Sequence, residues 1–273
     1  MVPLAERLRP RNIDDMVGQP HLFAKGMPMR RIIESGRIPN MIFYGPSGVG
    51  KTTLARMIAD SSDMSLHKLN GTTASVGDIR EILQESGSLF ASNGVLLYLD
   101  EIQYLNKKQQ QSLLEYIENG SVTLIASTTE NPYFAVFNAI ISRSTVFEFK
   151  PVTQDQMQPA IVRAYEFLAE EQGSVIRYSP EVVSYIAAGC GGDVRKAVNT
   201  VELSVLAADH SGDELVIDLE SVKALTQRSN MRYDRDGDQH YDLLSALHKS
   251  IRGSDENAAI HYEDRIQGAI LSN

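Results

Sequence analysis

The sequence predicts an α/β fold, in which a five-stranded parallel sheet with helices on both faces is followed by a small all-α domain. Two observations lead to this prediction. Through residues 1–150, continuous apolar or β-branched runs alternate with segments of helical spacing, which is typical of a parallel sheet covered on both faces. After Pro151 only helical patterns remain, so we expect no further strands there.

The α/β part contains five predicted strands, each a short apolar or β-branched run. Helical spacing between them is clearest where Ile79, Ile82 and Leu83 repeat at i, i+3 and i+4. Helical patterns also follow the first strand, in TLARMIADSS, and the third, in KKQQQSLLEYIENG. The predicted strands cover residues 40–44, 65–70, 94–101, 121–129 and 144–149.

The remainder of the chain is predicted to be helical. Ser179, Pro180 and Glu181 form a typical helix start, and Gly189 a typical stop. We therefore divide the chain into an α/β domain (1–150), a helical domain (151–228), and a polar hinge with the start of a further helical region (229–273). The predicted helices are 153–171, 180–188, 192–208 and 218–228, then 241–251 and 255–267 after the hinge at 232–242.

Composition narrows the class of protein. Of 273 residues, 42% are apolar and 22% charged, as in globular domains, and the net charge of −9 argues against a chain coated in nucleic acid. A local basic strip is still compatible with that charge. The single Cys190 cannot form an internal disulfide, and no apolar run is long enough for a signal peptide or membrane helix. We expect a soluble, cytoplasmic protein with no membrane contact.

The stretch YGPSGVGKTT (44–53) matches the phosphate-binding pattern G-x-x-x-x-G-K-[ST] between a predicted strand and a predicted helix. Backbone N–H groups of residues 46–52 and the helix N-terminus are expected to surround a β-phosphate. Lys51 would reach the β- and γ-phosphates, and the Thr52 hydroxyl would ligate Mg²⁺. The predicted nucleotide-binding residues of this loop are Gly45, Pro46, Ser47, Gly48, Val49, Gly50, Lys51, Thr52 and Thr53.

A second acidic element completes this prediction. The strand LLYLDE ends in Asp100, a predicted Mg²⁺ ligand, and Glu101, a predicted base for a water aligned with the γ-phosphate. An acidic pair at a strand end can also be a solvent-facing helix cap. Its position about 50 residues after a phosphate loop favours the catalytic reading. Glu101 therefore favours hydrolysis over mere sensing of the nucleotide.

Other nucleotide and metal classes fit the sequence less well. The segment NKKQ (106–109) has a glutamine where the guanine-reading loop of GTPases has an aspartate, and no arginine-rich lid of a small-molecule kinase follows the acids. DRDGD (234–238) departs from a calcium loop, because its glycine is early and Ser245 replaces the bidentate glutamate. The six histidines form no zinc-binding pattern.

Taken in order, these motifs resemble the AAA+ ATPases of the clamp-loader clade. They are most similar to the replication-associated recombination protein A family, the bacterial relatives of the Werner-helicase-interacting protein. The resemblance extends over nearly the whole chain and is highly specific. It rests on LAERLRPRNIDDMVGQPHL (4–22), TLIASTTENP (123–132), AIISRSTVFEF (139–149), GGDVRKAVNTVE (191–202) and the tail at 231–255.

The resemblance implies roles for residues outside the two motifs. Thr128 or Thr129, between which spacing does not decide, would place a hydroxyl near the γ-phosphate or the attacking water. Arg143 would enter the nucleotide site of a neighbouring subunit, so hydrolysis would require assembly. Arg195 would reach back to the γ-phosphate and make the angle between domains depend on the nucleotide. Each also has a plain alternative, as a strand-end threonine or a solvated arginine.

Two further implications concern the restraint of the base and the adenine. Asn70, at the end of the second strand, would hydrogen-bond Glu101 and restrain it until DNA or a partner binds, although strand-end asparagines are also common in turns. The adenine of ATP would lie near Arg9, Pro10, Val17 and Gly18.

The resemblance also implies partners and one alternative function. It implies ATP hydrolysis that is stimulated by DNA at single-strand/duplex junctions, ends or forks. It also implies contact with a single-strand-binding protein or other replication proteins, and assembly into a homotetramer. The sequence departs from the family at Gln103 and Tyr104, where a histidine-arginine pair is usual, and it ends at Asn273, soon after the assembling region begins. The alternative is therefore an ATP-binding, clamp-loader-like scaffold without turnover.

Overall fold

The computed structural model describes residues 2–62, 64–85, 94–211 and 214–233. The chain divides into two compact units, residues 1–218 and 219–273. The three-part division drawn from the sequence stays a prediction. The proposed hinge at 232–242 falls almost wholly outside the described residues, as do the two helices after it and the DRDGD segment with Ser245.

The first unit is built on a five-stranded parallel sheet, as the sequence predicts. Its order is β2-β3-β4-β1-β5, so β1 lies between β4 and β5. Each strand lies within a residue of its predicted bounds. The strands are β1 (Met41–Tyr44), β2 (Ser65–Asn70), β3 (Val95–Asp100), β4 (Val122–Thr128) and β5 (Thr145–Glu148).

Nine helices precede or connect these strands in the described part of this region. They are α1 (Leu4–Arg7), α2 (Pro20–Phe23), α3 (Pro28–Ser35), α4 (Lys51–Ser62), α5 (Val76–Glu85), α6 (Lys107–Gln111), α7 (Leu114–Glu118), α8 (Pro132–Ala135) and α9 (Asn138–Ile141). Single 3₁₀ turns occur at Ile13–Asp15 and Ile102–Tyr104. None of the described helices combines the length and apolarity needed to cross a bilayer.

The core has two layers, one on each face of the sheet. Successive side chains of a strand point to opposite faces, so Leu97 and Leu99 join one apolar cluster while Leu96 and Tyr98 join the other. The second cluster also contains Leu54 of α4. Because both faces are covered, the central strands β1, β3 and β4 are buried at nearly every position, which explains why they could be predicted from the sequence. The edge strands β2 and β5 are more exposed.

The rest of the first unit is mainly helical and also contains a small sheet that was not predicted. Helices α10 (Gln154–Gln172), α11 (Pro180–Gly189) and α12 (Val194–Leu206) match their predicted positions closely. The expectation that no strands follow Pro151 was wrong, because β6 (Val175–Tyr178), β7 (Asp209–Ser211) and β8 (Glu214–Ile217) form a sheet in the order β6-β8-β7. These strands are three or four residues long, and β6 and β8 contain exposed positions, so the segments between the predicted helices were not recognised as strands. Helix α13 (Leu219–Tyr233) begins the second unit.

The N-terminal segment packs on the helical part of the same unit. The Leu4 N–H donates to Glu202 Oε2 on α12 at 3.3 Å, and the Leu4 side chain is fully buried. Arg7 forms ion pairs with Glu171 and Glu202. These contacts hold the chain around residues 5–17 beside α10 and α12, where it lines the cleft described below.

Candidate active site

The glycine-rich loop joins β1 directly to α4. Lys51 is the first residue of α4 and is 7% exposed. Its Nζ donates to the carbonyl oxygens of Gly45 at 2.6 Å and Pro46 at 2.7 Å. Burial lowers the pKa of Lys51, while the negative charges of Glu101 and Asp100 act in the opposite direction. The loop therefore holds a buried ammonium group close to two carboxylates.

Gly48 brings this loop against the N-terminus of α12. The Val194 N–H donates to the Gly48 carbonyl oxygen at 3.1 Å. Gly48 has φ +68°, and a Cβ there would lie 1.8 Å from Asp193 Oδ1. Asp193 in turn caps α12 by accepting a hydrogen bond from the Lys196 N–H at 2.9 Å. Both the backbone conformation and the space available at position 48 thus favour glycine.

The acidic end of β3 is held by hydroxyl groups. Asp100 Oδ1 accepts hydrogen bonds from Ser127 Oγ on β4 and from Tyr98 Oη, the latter at 3.0 Å. Tyr98 Oη also lies 3.0 Å from Thr52 Oγ1 on α4. Burial and the neighbouring Asp100 charge raise the pKa of Tyr98, so its hydroxyl stays neutral. One buried hydroxyl therefore joins Thr52 to Asp100.

Thr52 and Asp100 are suited to hold Mg²⁺. Both line the same cleft as Lys51, and both offer hard oxygen ligands. Magnesium in nucleotide sites is commonly held by one or two such protein groups together with substrate phosphates. The donor chemistry of these two residues therefore fits the predicted ion.

Glu101 follows Asp100 in an uncommon backbone conformation. Its φ of 56° and ψ of 52° are left-handed, and its N–H donates to Ser127 Oγ at 3.4 Å. Its carboxylate accepts a hydrogen bond from Gln103 Nε2, which also lies 3.3 Å from Thr129 Oγ1. Gly71 packs behind this turn, where a Cβ would lie 2.2 Å from the Glu101 carbonyl oxygen. The turn is therefore held in place by neighbours on β4 and after β2.

A single cleft brings the loop, the acids and the helical part together. Arg195 of α12 lines it, as do the predicted adenine-side residues Arg9, Pro10 and Val17. Gly18 is not among the lining residues and packs instead on Val152, whose Cγ2 would be 2.8 Å from a Cβ at position 18. The cleft is lined by Ala5, Leu8, Arg9, Pro10, Asp15, Met16, Val17, Ser47, Gly48, Val49, Gly50, Lys51, Thr52, Thr53, Asp100, Glu101, Ala160, Arg163, Val194, Arg195 and Val198.

Comparison with known proteins agrees with this arrangement. The model of the ATPase family associated with various cellular activities (AAA) matches residues 41–152, and that of the AAA C-terminal domain matches residues 172–252. Replication-associated recombination protein A of Bacillus subtilis is 43% identical over 271 residues, which cover 97% of this chain and 63% of that protein. The chain belongs to the AAA family of ATPases. The resemblance stated from the sequence is confirmed.

Other relatives and structures of the AAA family extend the comparison. Replication-associated recombination protein A of Escherichia coli K12 is 37% identical over 97% of this chain and 60% of its own length. The ATPase WRNIP1 of Dictyostelium discoideum is 34% identical over 97% of this chain and 32% of its own length. The chain thus spans less than two thirds of these relatives. The Thermotoga maritima RuvB Holliday junction branch migration motor has the same fold, with a TM-score of 0.62, 25% identity, and coverage of 81% of this chain and 72% of that one.

The two candidate threonines of this AAA protein occupy different environments. Thr128 is fully buried at the end of β4, and its hydroxyl oxygen accepts a hydrogen bond from the Glu130 N–H at 3.0 Å. Thr129 is exposed, and its hydroxyl lies beside the Gln103 amide that also bonds Glu101. The structure therefore links Thr129 to Glu101 through one side chain.

The expected hydrogen bond between Asn70 and Glu101 is not the contact observed. Asn70 Oδ1 accepts from the Thr72 N–H at 2.9 Å and from the Thr72 hydroxyl at 2.7 Å, which is a local turn. The Glu101 carboxylate accepts from Gln103 instead. The turn after β2 engages the Asn70 oxygen, so the prediction named the wrong partner for Glu101.

The two arginines lie in different places. Arg195 lines the cleft of this AAA chain, whereas Arg143 follows α9 and is not a lining residue. Arg143 Nη2 forms an ion pair with Glu118 Oε1 at 2.6 Å, and its Nη1 donates to the Ala139 carbonyl at 2.8 Å. Its action on a neighbouring subunit stays a prediction.

Several residues at the site were missed by the sequence analysis. Tyr98, Ser127 and Gln103 contact the acids directly, and Met16, Ala160 and Arg163 line the cleft. A usable indication existed for Tyr98 and Ser127, since each is a polar side chain within a strand that is buried over nearly its whole length. A buried polar group needs a hydrogen-bond partner, and here that partner is Asp100.

Proposed function

We propose that this AAA protein binds ATP with Mg²⁺ and hydrolyses it to ADP and phosphate, using the energy to act on DNA during replication-fork maintenance, recombination and repair. The observation that carries the proposal is the convergence of Lys51, Thr52, Asp100, Glu101 and Arg195 on one cleft. These residues come from the loop, the end of β3 and helix α12, and together they supply the groups that phosphoryl transfer to water requires.

Each group has a defined task in this proposal. Lys51 exchanges the loop carbonyls for oxygens of the β- and γ-phosphates, and the loop N–H groups surround the β-phosphate. Thr52 and Asp100 would hold Mg²⁺, which would neutralise charge on the phosphates. Glu101 accepts a proton from the attacking water, and the hydroxyl of Thr129, or of Thr128, helps to orient that water. Arg195 contacts the γ-phosphate from α12.

Assembly and DNA complete the proposal. Arg143 would leave Glu118 and contact the γ-phosphate of the ATP bound to a neighbouring subunit. An arginine supplied in this way can raise the rate of hydrolysis by a factor of ~10³–10⁵. We propose a homo-oligomer, a tetramer by analogy with the family, whose turnover is stimulated by single-strand/duplex junctions, ends or forks. A single-strand-binding protein or another replication protein is the proposed partner, in the bacterial cytoplasm at the nucleoid. The names of the relatives, which refer to replication and recombination, support this choice of substrate.

Steady-state phosphate release tests the proposal. The wild type should turn over ATP in Mg²⁺, faster when junction DNA is added and faster per subunit as protein concentration rises. Glu101→Gln should bind ATP yet release phosphate at least about a hundredfold more slowly, as expected on loss of a general base. Absence of turnover with and without DNA, at all protein concentrations, would refute hydrolysis.

The second candidate is an ATP-binding scaffold without turnover. The ion pair between Arg143 and Glu118 favours it, because this arginine is then engaged within its own chain. The two proposals differ in one measurement. A scaffold binds a fluorescent ATP analogue while its phosphate release stays at the background rate and independent of concentration.

A further inference from the structure

We propose that Tyr98 is a positioning residue that fixes Thr52 and Asp100 relative to each other and so prepares the Mg²⁺ site. This inference deepens the proposed function and rests on it. The observation behind it is the set of three contacts made by one buried hydroxyl. Tyr98 Oη lies 3.0 Å from Thr52 Oγ1, 3.0 Å from Asp100 Oδ1 and 3.0 Å from Ser127 Oγ.

The geometry of the sheet explains why Tyr98 can make these contacts. Tyr98 and Asp100 are two residues apart on β3, so their side chains point to the same face. Tyr98 pairs with Ile125 of β4, and continuing this register places Ser127 beside Asp100. The Tyr98 ring belongs to the apolar cluster that also contains Leu54 of α4. The hydroxyl at its tip therefore reaches the start of α4, where Thr52 is located.

Counting hydrogens gives a direction to each bond. The hydroxyls of Tyr98, Thr52 and Ser127 carry one hydrogen each, and an ionised Asp100 can only accept. The carboxylate is the strongest acceptor of the group, so Ser127 and Tyr98 both donate to Asp100 Oδ1. Tyr98 has then used its only hydrogen. The contact between Tyr98 Oη and Ser127 Oγ shares that same hydrogen. The contact with Thr52 then requires Thr52 to donate to Tyr98 Oη.

With these bond directions, oxygen lone pairs of both predicted Mg²⁺ ligands, Thr52 and Asp100, are available to bind a cation. The hydrogen of Thr52 points toward Tyr98, so the lone pairs of Thr52 Oγ1 are free to face the cleft. Both hydroxyl donors to Asp100 bond Oδ1, which leaves Oδ2 for a metal ion. Without the Tyr98 hydroxyl, Thr52 would lose the acceptor that fixes its hydrogen, and Asp100 would lose one of its two donors.

The ring itself is well fixed. Tyr98 is 1% exposed and packs among large apolar side chains such as Phe43. The Lys68 ammonium lies 5.9 Å from the centre of the ring. The position of the hydroxyl is therefore set by packing, and replacement by phenylalanine removes the oxygen while the ring stays in place.

The test is the magnesium dependence of nucleotide binding in Tyr98→Phe. A fluorescent ADP analogue is titrated with protein over a series of Mg²⁺ concentrations and in EDTA, with no turnover involved. We expect the Mg²⁺ concentration for half-maximal tight binding to rise about fivefold, the effect of one lost hydrogen bond, with binding in EDTA unchanged. The nucleotide itself should still bind, because the loop and Lys51 are untouched.

Tyr165→Phe is the matched control. Tyr165 is also 1% exposed, and its hydroxyl bonds Ser204 Oγ at 2.9 Å in the helical part, so this variant loses a comparable buried hydrogen bond away from the metal side. It should keep the wild-type Mg²⁺ dependence. An unchanged dependence in Tyr98→Phe, or an equal shift in both variants, would overturn the inference.

Two further results separate the possible failures. If Tyr98→Phe does not fold, Ser127→Ala is used to test the inference instead. It removes the other donor to Asp100 Oδ1, so it should shift the Mg²⁺ dependence in the same direction. An unshifted Ser127→Ala would then overturn the inference. If the wild type binds no nucleotide at any Mg²⁺ concentration, the proposed function falls and the inference falls with it.

Discussion

The backbone N–H of Val194 donates to the carbonyl oxygen of Gly48, so the phosphate loop and the start of α12 are bonded directly to each other. This bond joins two regions that are about 150 residues apart in the chain. Arg195 is the next residue of the same helix and lines the same cleft. A change in loop conformation therefore acts on the position of α12 without an intermediate group.

Gly48→Ala should disrupt this contact. The added Cβ would overlap Asp193 Oδ1, so Asp193 must turn away and lose its capping bond to the Lys196 N–H. Together with the positive φ, this should lower the free energy of unfolding by about 2–3 kcal/mol. Nucleotide affinity should also fall at least about tenfold, since the loop N–H groups are displaced. Urea denaturation and equilibrium binding measure the two effects.

Gly36→Ala is the control for Gly48→Ala. Gly36 has nearly the same φ, +67°, but nothing lies within 4 Å of a Cβ built there. It should show the cost of backbone strain alone, about 1 kcal/mol, with wild-type nucleotide affinity. Equal losses of stability in the two variants would argue against the contact with Asp193.

Gln103→Ala should slow hydrolysis with little effect on nucleotide binding. Gln103 donates to the Glu101 carboxylate and contacts the Thr129 hydroxyl, so its loss frees the proposed base, Glu101, from the end of β4. We expect kcat to fall about tenfold and KM to stay within about twofold, as for one hydrogen bond to a charged group. Gln111→Ala, an exposed glutamine at the end of α6, should match the wild type. A rise in KM alone would contradict the prediction.

Mixing two inactive variants tests whether Arg143 acts across subunits. Arg143→Ala keeps Glu101, and Glu101→Gln keeps Arg143, so each supplies the group that the other lacks. If Arg143 serves a neighbour's site, the mixture should recover a measurable fraction, about a quarter, of the wild-type rate from randomly formed interfaces. A mixture of Arg143→Ala with Lys51→Ala should behave in the same way, because Lys51→Ala also keeps Arg143, and so it cannot serve as a control. The control is each single variant assayed alone at the total protein concentration. A mixture no faster than its parts would contradict action in trans.

Cys190 should react slowly with iodoacetamide in the folded protein. It is the only cysteine, and burial raises its pKa to about 11. At pH 8 its thiolate fraction is about a hundredfold below that of a thiol at the ordinary value of 9.0, and the labelling rate should fall at least as much. The rate should rise about tenfold per pH unit until it levels off near pH 11.

The same pKa shift predicts how stability depends on pH. The unfolded thiol ionises near pH 9 and the folded one near pH 11, so the unfolded state loses this proton first. The contribution of Cys190 to stability is complete below pH 9 and is lost progressively from about pH 9 to pH 11. Labelling in denaturant gives the reference rate. Native labelling at that same rate would show that the thiol is not protected.

Much of the fold could be predicted because its physical causes are local. The central strands β1, β3 and β4 are buried on both faces and therefore appear as largely apolar runs, and the phosphate loop has a fixed pattern of glycines. The small sheet of β6, β7 and β8 was missed because its strands are short and half-exposed, so burial leaves no continuous run.

The site was predicted less completely than the fold. Lys51, Thr52, Asp100 and Glu101 lie where their motifs indicate, in one cleft. The partner of Glu101 was not predictable from strand ends alone. Asn70 is in register with Asp100, yet its oxygen bonds Thr72, while Gln103 reaches Glu101 by way of a 3₁₀ turn. Contacts made by side chains across such turns depend on rotamers that no spacing rule describes.

The packing of Gly71 behind Glu101 has a consequence for how this proposed base can move. The Gly71 N–H donates to the Asp100 carbonyl oxygen at 2.7 Å, and the bare Cα of Gly71 leaves just enough room for the Glu101 carbonyl. The peptide unit of Glu101 is thus confined between the chain after β2 and Ser127 of β4. If Glu101 is the base, as proposed, its regulation is expected to act by rotating its side chain on a stationary backbone, a motion of picoseconds to nanoseconds that needs no rearrangement of the sheet.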